Sequence, residues 1–297
     1  MNGIAGDGLW RRKGGFFSAR KVAAGWLFAL AFLPLASAQA GKKWYVGSRH
    51  PASQLVSIDK IDHSVWNDLL RKYVDKDGKV DYAAWKASPG DMARLDRYLS
   101  HLSSADPSRS ASRAAKLAFW INAYNAVTIR GILREYPTTS IRRHTSRFGG
   151  YNIWKDLLLI VGDHAYSLEH MEHQILRKMK EPRIHFAIVC ASNGCPILRN
   201  EAYVAQNLER QLEENARRFF QDPSKLRFDP RTRRLMLSPI LKWFQEDFGS
   251  SPQEVLAAIR PYLPESVVRA ATHGGVEIDY LSYDWNLNDR RSVARRH

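Results

Sequence analysis

The sequence predicts a helix-rich α/β or α+β fold: a single domain around a small sheet, with a buried central helix. Three observations predict it. Residues 114–136 are apolar on nearly every side: Leu117, Trp120, Ile121, Tyr124 and Thr128 cover one face, and Phe119, Ala126, Ile129 and Leu133 much of the other. A helix that is apolar all round is a buried one. Short β-branched runs at 156–161, 186–189 and 276–283 are bounded by turn residues, as strands are. Between them lie stretches with helical periodicity, clearest at 203–221.

The elements follow in order. Residues 39–59 read as an irregular leader, and 60–290 as one globular domain. Residues 63–74 form a helix, with Val65, Trp66, Leu69, Leu70 and Tyr73 on one face. Asp75-Lys76-Asp77-Gly78 is a turn. It is not a calcium loop, because Tyr73 and Ala84 fall where the first and last carboxylate ligands belong. Val80 to Tyr82 reads as a short strand or helix entry, 83–101 as a helix, and 103–113 as a polar loop. Pro137 ends the buried helix, and a basic, glycine-containing loop covers 138–153. The strand at 156–161 turns through Gly162-Asp163 into a second at 164–166. Ser167 caps a helix running to about Lys180, which Pro182 breaks. The strand at 186–189 then leads into Cys190. Hairpin strands flank Asp229-Pro230, helices cover 239–248, 252–263 and 266–271, and a strand closes the fold at 276–283.

Arg11, Arg12, Lys13, Arg20 and Lys21 precede an uncharged run at 22–35 that is shorter than the roughly 18–20 residues needed to span a bilayer. Ala36-Ser37-Ala38 and Ala38-Gln39-Ala40 are small-x-small cleavage sites. This is the pattern of a signal peptide over 1–38, and it predicts a soluble periplasmic or secreted protein beginning near Gln39 or Gly41. The chain carries a formal charge of +15, with basic clusters at 142–143 and 231–234 and a basic tail at 291–297. Such a surface can meet an anionic envelope. No basic stripe is interleaved with aromatic residues as single-strand binders require, so no nucleic-acid partner is expected. The partner expected is a small molecule or peptide; nothing in the chain sets the oligomeric state.

The chemistry concentrates in 183–198, which holds both cysteines, Cys190 and Cys195. Two thiols five positions apart across a turn, in an oxidising compartment, can pair as a clasp. Cys190, at the end of a strand, is equally placed for nucleophilic chemistry if a base lowers its pKa. Glu169, His173 and Arg177 share a helical face, which makes His173 the first candidate base. Asn122 and Asn125 also share a face of the buried helix and need fixed partners there. The cysteine loop 190–196 is the expected partner, with Asn125 orienting His173, and Asn122 and Arg177 lining a binding pocket. His185 is a further candidate for that pocket, although strand alternation directs it away from Cys190. His170 and His173 are three apart rather than four, and no zincin motif occurs, so neither a metal nor another cofactor is expected.

These residues resemble a family, the domain of unknown function numbered 547. The likeness lies in the run from Phe119 to Ala126, in Ser167 to Arg177, in His185-Phe186-Ala187 with Cys190-Ala191-Ser192 and Cys195-Pro196, in Leu237-Ser238 with Lys242-Trp243-Phe244 and Asp247-Phe248, and in Tyr283 to Asn288. The resemblance spans about residues 60–290. It implies identity without an established reaction. Bacterial relatives are commonly exported, and plant relatives keep the thiol at Cys190 but often lack the one at Cys195, which gives Cys190 weight of its own. Two readings follow. One is an exported thiol hydrolase or acyl transferase using Cys190 with His173. The other is a non-catalytic envelope binding module clasped by a Cys190–Cys195 disulfide.

Overall fold

The computed structural model describes residues 42–146, 150–272 and 275–291. Residues 1–38, read above as a signal peptide, and residues 292–297 of the basic tail lie outside the described residues. The fold is helix-rich, with two three-stranded sheets and a two-stranded one.

The central helix is Arg113–Glu135. Ser112 caps it, its hydroxyl accepting from the Ala115 amide at 3.1 Å. Its middle, from Leu117 to Ile129, is buried on all sides. A first core surrounds it. On one side lie helices Ser64–Tyr73 and Pro89–Ser103 with a layer of stacked rings, Trp66 on Tyr98 and Tyr73 on Trp85. On another side lies the sheet of Trp44–Val46, Leu157–Val161 and His164–Ser167. Gly131 lets that sheet approach: a Cβ there would stand 2.7 Å from Leu157 Cδ2 and 2.8 Å from Ile153 Cδ1.

The second core is built of helix Leu208–Gln221, the hairpin Leu226–Asp229 with Arg234–Leu237, the parallel strand Glu277–Tyr280, and Pro252–Ile259. Phe186 belongs to this core, whereas Ala187 to Val189 belong to the first. The stretch entering Cys190 therefore runs along the seam between the two.

Several expected elements differ. The leader is not irregular throughout, because Trp44–Val46 pairs in parallel with Leu157–Val161. The helix expected over 83–101 is two, Tyr82–Lys86 and Pro89–Ser103. Pro89 disfavours helical backbone at Ser88, and the Ser88 hydroxyl caps the second helix instead. The helix after Ser167 changes type: α over Leu168–His170, a π turn over Met171–Leu176, then 3₁₀ over Arg177–Met179. The strand expected at 186–189 does not form. Pro182–Phe186 is a 3₁₀ turn, and 187–190 is irregular.

That irregular stretch is buried, so its peptide groups need partners. Asparagine side chains supply them. Asn125 Nδ2 donates to the Ala187 carbonyl at 3.0 Å, and its Oδ1 accepts from the Val189 amide at 2.9 Å. Asn215 Nδ2 donates to the Phe186 carbonyl at 2.7 Å. The amides do what a neighbouring strand would have done. Asn122 repeats the device elsewhere, giving Nδ2 to the Tyr203 carbonyl at 2.7 Å and taking the Tyr203 amide at 3.0 Å.

An Asn125→Leu substitution keeps the number of side-chain heavy atoms and orphans both backbone groups. Each costs roughly 1–3 kcal/mol. The expected outcome is a loss of about 2–6 kcal/mol in chemical denaturation, with Asn122→Leu losing a similar amount through Tyr203.

Candidate functional site

The cysteine loop is gripped from three sides. The segment after Glu277–Tyr280 runs back across it: the Asn193 amide donates to the Asn286 carbonyl at 2.8 Å, Gly194 to the Asp284 carbonyl at 2.7 Å, and Asn288 to the Ala191 carbonyl at 3.0 Å. Lys79 Nζ reaches Asn193 Oδ1 at 2.6 Å, and the buried Lys225 reaches the Asn193 carbonyl. Burial lowers the pKa of the Lys225 ammonium. Gly194 packs against the Tyr283 ring so closely that a Cβ would stand 2.7 Å from it. Ala191 adopts a left-handed φ of 57°, unusual for a residue with a side chain.

Within this mount the Cys190 and Cys195 sulfurs lie at disulfide distance, their Cα atoms 6.4 Å apart. Two hydroxyls adjoin them. Tyr283 Oη stands 3.3 Å from Cys190 Sγ and 3.1 Å from Cys195 Sγ, and Ser192 Oγ donates to Tyr283 Oη at 3.0 Å. Burial raises the Tyr283 pKa, so the phenol keeps its proton.

Both sulfurs line a cavity of about 150 Å³. Its walls are largely aromatic, with Tyr124, Trp154, Trp243, Phe244, Tyr283 and Trp285, and it also presents Glu172 and His185. Trp243 stacks near Trp285, ring centres 5.8 Å apart, and is 48% exposed, which sets it at the rim.

His185 is buried. Its Nε2 lies 2.7 Å from Asp247 Oδ2, and its ring stacks on Phe244 at 4.1 Å. Burial raises the Asp247 carboxyl, but hydrogen bonds from His185 and Arg177 outweigh that and hold its pKa at about 2. An ionised Asp247 accepts, so His185 Nε2 carries the proton and Nδ1 is the atom left to accept one.

His173 is placed otherwise than expected. It does not line the cavity; its Nδ1 lies 3.0 Å from Arg177 Nη1. Arg177 grips Asp247 at 2.6 Å through Nε and 3.0 Å through Nη2, and also holds Glu246. Arg177 therefore orders the carboxylate behind His185 and does not line the cavity itself. Glu169 pairs with Lys155 at 3.4 Å, not with His173. The π turn is the cause. Its wider i→i+5 spacing rotates the helix face, and Glu172 rather than His173 meets the cavity.

Asn125 is not free to orient His173, since both ends of its amide are engaged with Ala187 and Val189. Asn122 holds Tyr203 and does not line the cavity. His185 does share the cavity with Cys190, because strand alternation does not apply to a 3₁₀ turn followed by irregular chain. Sequence reasoning missed Glu172, Asp247 and Tyr283 as parts of one site. Distance in sequence hid Asp247 and Tyr283, and the expectation of a regular helix hid Glu172, although all three lie in segments that carried the family resemblance.

The comparison that bears on this site covers part of it. Residues 108–220 match the family model described as Protein of unknown function, DUF547. The match bears out the resemblance, and it spans Asn125, Glu172, His185 and both cysteines. Neither a curated protein nor a solved structure matches the chain.

Asp247 makes a pH prediction. Its folded pKa of about 2 lies below the usual carboxylate value of about 3.9, so its stabilisation is full above pH 4 and is lost as pH falls toward 2. Asp247→Asn should destabilise the fold at pH 7 by about 1–2 kcal/mol, the shift of its pKa discounted for a partly exposed carboxylate. Thermal melts should show that deficit shrinking between pH 4 and pH 2.

Proposed function

We propose that this chain is an exported thiol hydrolase or acyl transferase, with Cys190 as nucleophile and His185, rather than His173, as base. The Cys190–Cys195 bond is its closed form. The observation that carries this reading is that the Cys190 sulfur lines one cavity with a buried imidazole whose tautomer is held by an ionised carboxylate. Export is supported by the basic segment, the short apolar run and the Ala-Ser-Ala site.

A dithiol reductant opens the bond, delivering two electrons and two protons to give two thiols. The Cys190 proton passes to His185 Nδ1, and the thiolate attacks the carbonyl carbon of an ester, thioester or amide. Collapse of the adduct expels the leaving group, which takes the proton from His185. Water or an acceptor nucleophile then releases the acyl group from Cys190. The Tyr283 hydroxyl, within 3.3 Å of the sulfur, can donate to the thiolate. Among the described residues no hydrogen bond joins Cys190 Sγ to a histidine. Catalytic hydrogen bonds often tighten only when substrate is seated.

One observation favours a second reading. The sulfurs are paired and the cavity walls are mostly aromatic, which suits a binding module whose disulfide is a clasp.

Cys195→Ser separates the two. Its lone Cys190 should alkylate with iodoacetamide at a pH midpoint below the free-thiol value of about 8.5, and it should turn over an acyl thioester. His185→Ala should raise that midpoint by about one unit, which is about tenfold less thiolate at pH 7, while His173→Ala moves it much less. An unshifted midpoint with no turnover leaves only the binding module standing.

A further inference from the structure

The cavity carries a carboxylate that, among the described residues, no cationic side chain pairs with. Glu172 faces into it from the π turn, and its hydrogen bond is with the Tyr124 hydroxyl, which donates to Oε2 at 3.1 Å. Among the described residues no lysine, arginine or histidine forms an ion pair with Glu172. The imidazole in the same cavity directs its Nε2–H hydrogen bond to Asp247 instead. Burial, reinforced by the Glu172 charge, pushes the Tyr124 phenol well above its ordinary pKa, so Tyr124 stays a neutral donor. Glu172 is thus a partly buried carboxylate in a chain of net charge +15.

Around that carboxylate stand aromatic rings, among them Trp243, Tyr283 and Trp285. Ring faces attract cations, most of all methylated ammonium groups, which bring apolar surface and charge together. Two rings of this wall already hold a cation on a face: the Arg142 guanidinium lies 5.1 Å over Trp285, and Arg177 lies 5.4 Å over Phe244. Neither arginine lines the cavity. The cavity volume of about 150 Å³ suits a head group rather than a chain.

We infer that the cavity binds the alkylated ammonium group of a small molecule, held between Glu172 and the Trp243–Tyr283–Trp285 rings, beside the sulfurs. This rests on reading the cavity as the functional site, and it names the substrate class as a cationic one, whose ammonium group places the reacting carbonyl at Cys190. It does not require Cys190 to react.

The test is calorimetric titration of the full chain carrying Cys190→Ser and Cys195→Ser, so that binding is read without thiol chemistry. The probes are choline and its neutral isostere 3,3-dimethylbutan-1-ol. Choline should bind at least tenfold tighter. Glu172→Gln should abolish that preference. Trp243→Ala, at a half-exposed position where truncation spares the core, should weaken choline several-fold. Equal affinity for the two probes, no saturation by choline, or a preference that survives both substitutions overturns the inference. A failed alkylation test with choline binding intact would remove the thiol enzyme and leave the cationic ligand. The opposite pattern would remove the ligand and leave the enzyme.

Discussion

The amide of Asn125 is the interaction on which the site depends. It sits in the buried middle of the central helix, and it faces a stretch of chain that has no strand beside it. Each solves the other's problem. The buried amide finds a donor and an acceptor, and the Ala187 carbonyl and Val189 amide find theirs. A buried polar group is tolerated only when it is satisfied, so the pairing also fixes the height at which the chain leaves the core. Cys190 is the next residue. Its position is tied to the central helix, and hydrogen bonds from the loop to the Asn286 and Asp284 carbonyls and from Lys79 and Lys225 to Asn193 then hold that loop independently of the bond between the sulfurs. The mount is thus built to survive opening of the Cys190–Cys195 bond.

A second consequence is the division of labour between the two histidines. Because 187–190 is not a strand, His185 and Cys190 share a cavity. Because the helix at 171–176 widens to a π turn, His173 is turned onto Arg177. The result is a chain of contacts, His173 to Arg177 to Asp247 to His185, in which the imidazole that lines the cavity with the sulfurs is backed by a carboxylate whose ionisation a guanidinium secures. The same rotation brings Glu172 to the cavity. Local backbone irregularities that cost stability are concentrated where the side chains they aim are wanted.

Much of the fold was legible in the sequence because it follows local rules. The all-round apolarity of 114–136 marked the buried helix, Ser167 marked a helix start, and the hairpins at 157–167 and 226–237 followed turn residues. The site was less legible. Asn122 and Asn125 announced themselves as buried amides, but periodicity cannot say which backbone they meet. The run at 186–189 had the composition of a strand and lacked only a neighbour, a fact about tertiary structure that no window of sequence contains. Glu172 was hidden by the assumption of a regular 3.6-residue helix, under which Glu169 and His173 stand together. Asp247 and Tyr283 arrive from elements more than 50 residues beyond Cys190, brought in by the second core.

The most direct test of the central claim is amide hydrogen exchange at Val189. An amide held by a side chain inside the core should exchange only through global unfolding, at the same slow rate as amides in the middle of Arg113–Glu135, and should do so with or without dithiothreitol. Exchange at Val189 as fast as in an exposed loop, or protection that vanishes when the Cys190–Cys195 bond is reduced, would contradict the account.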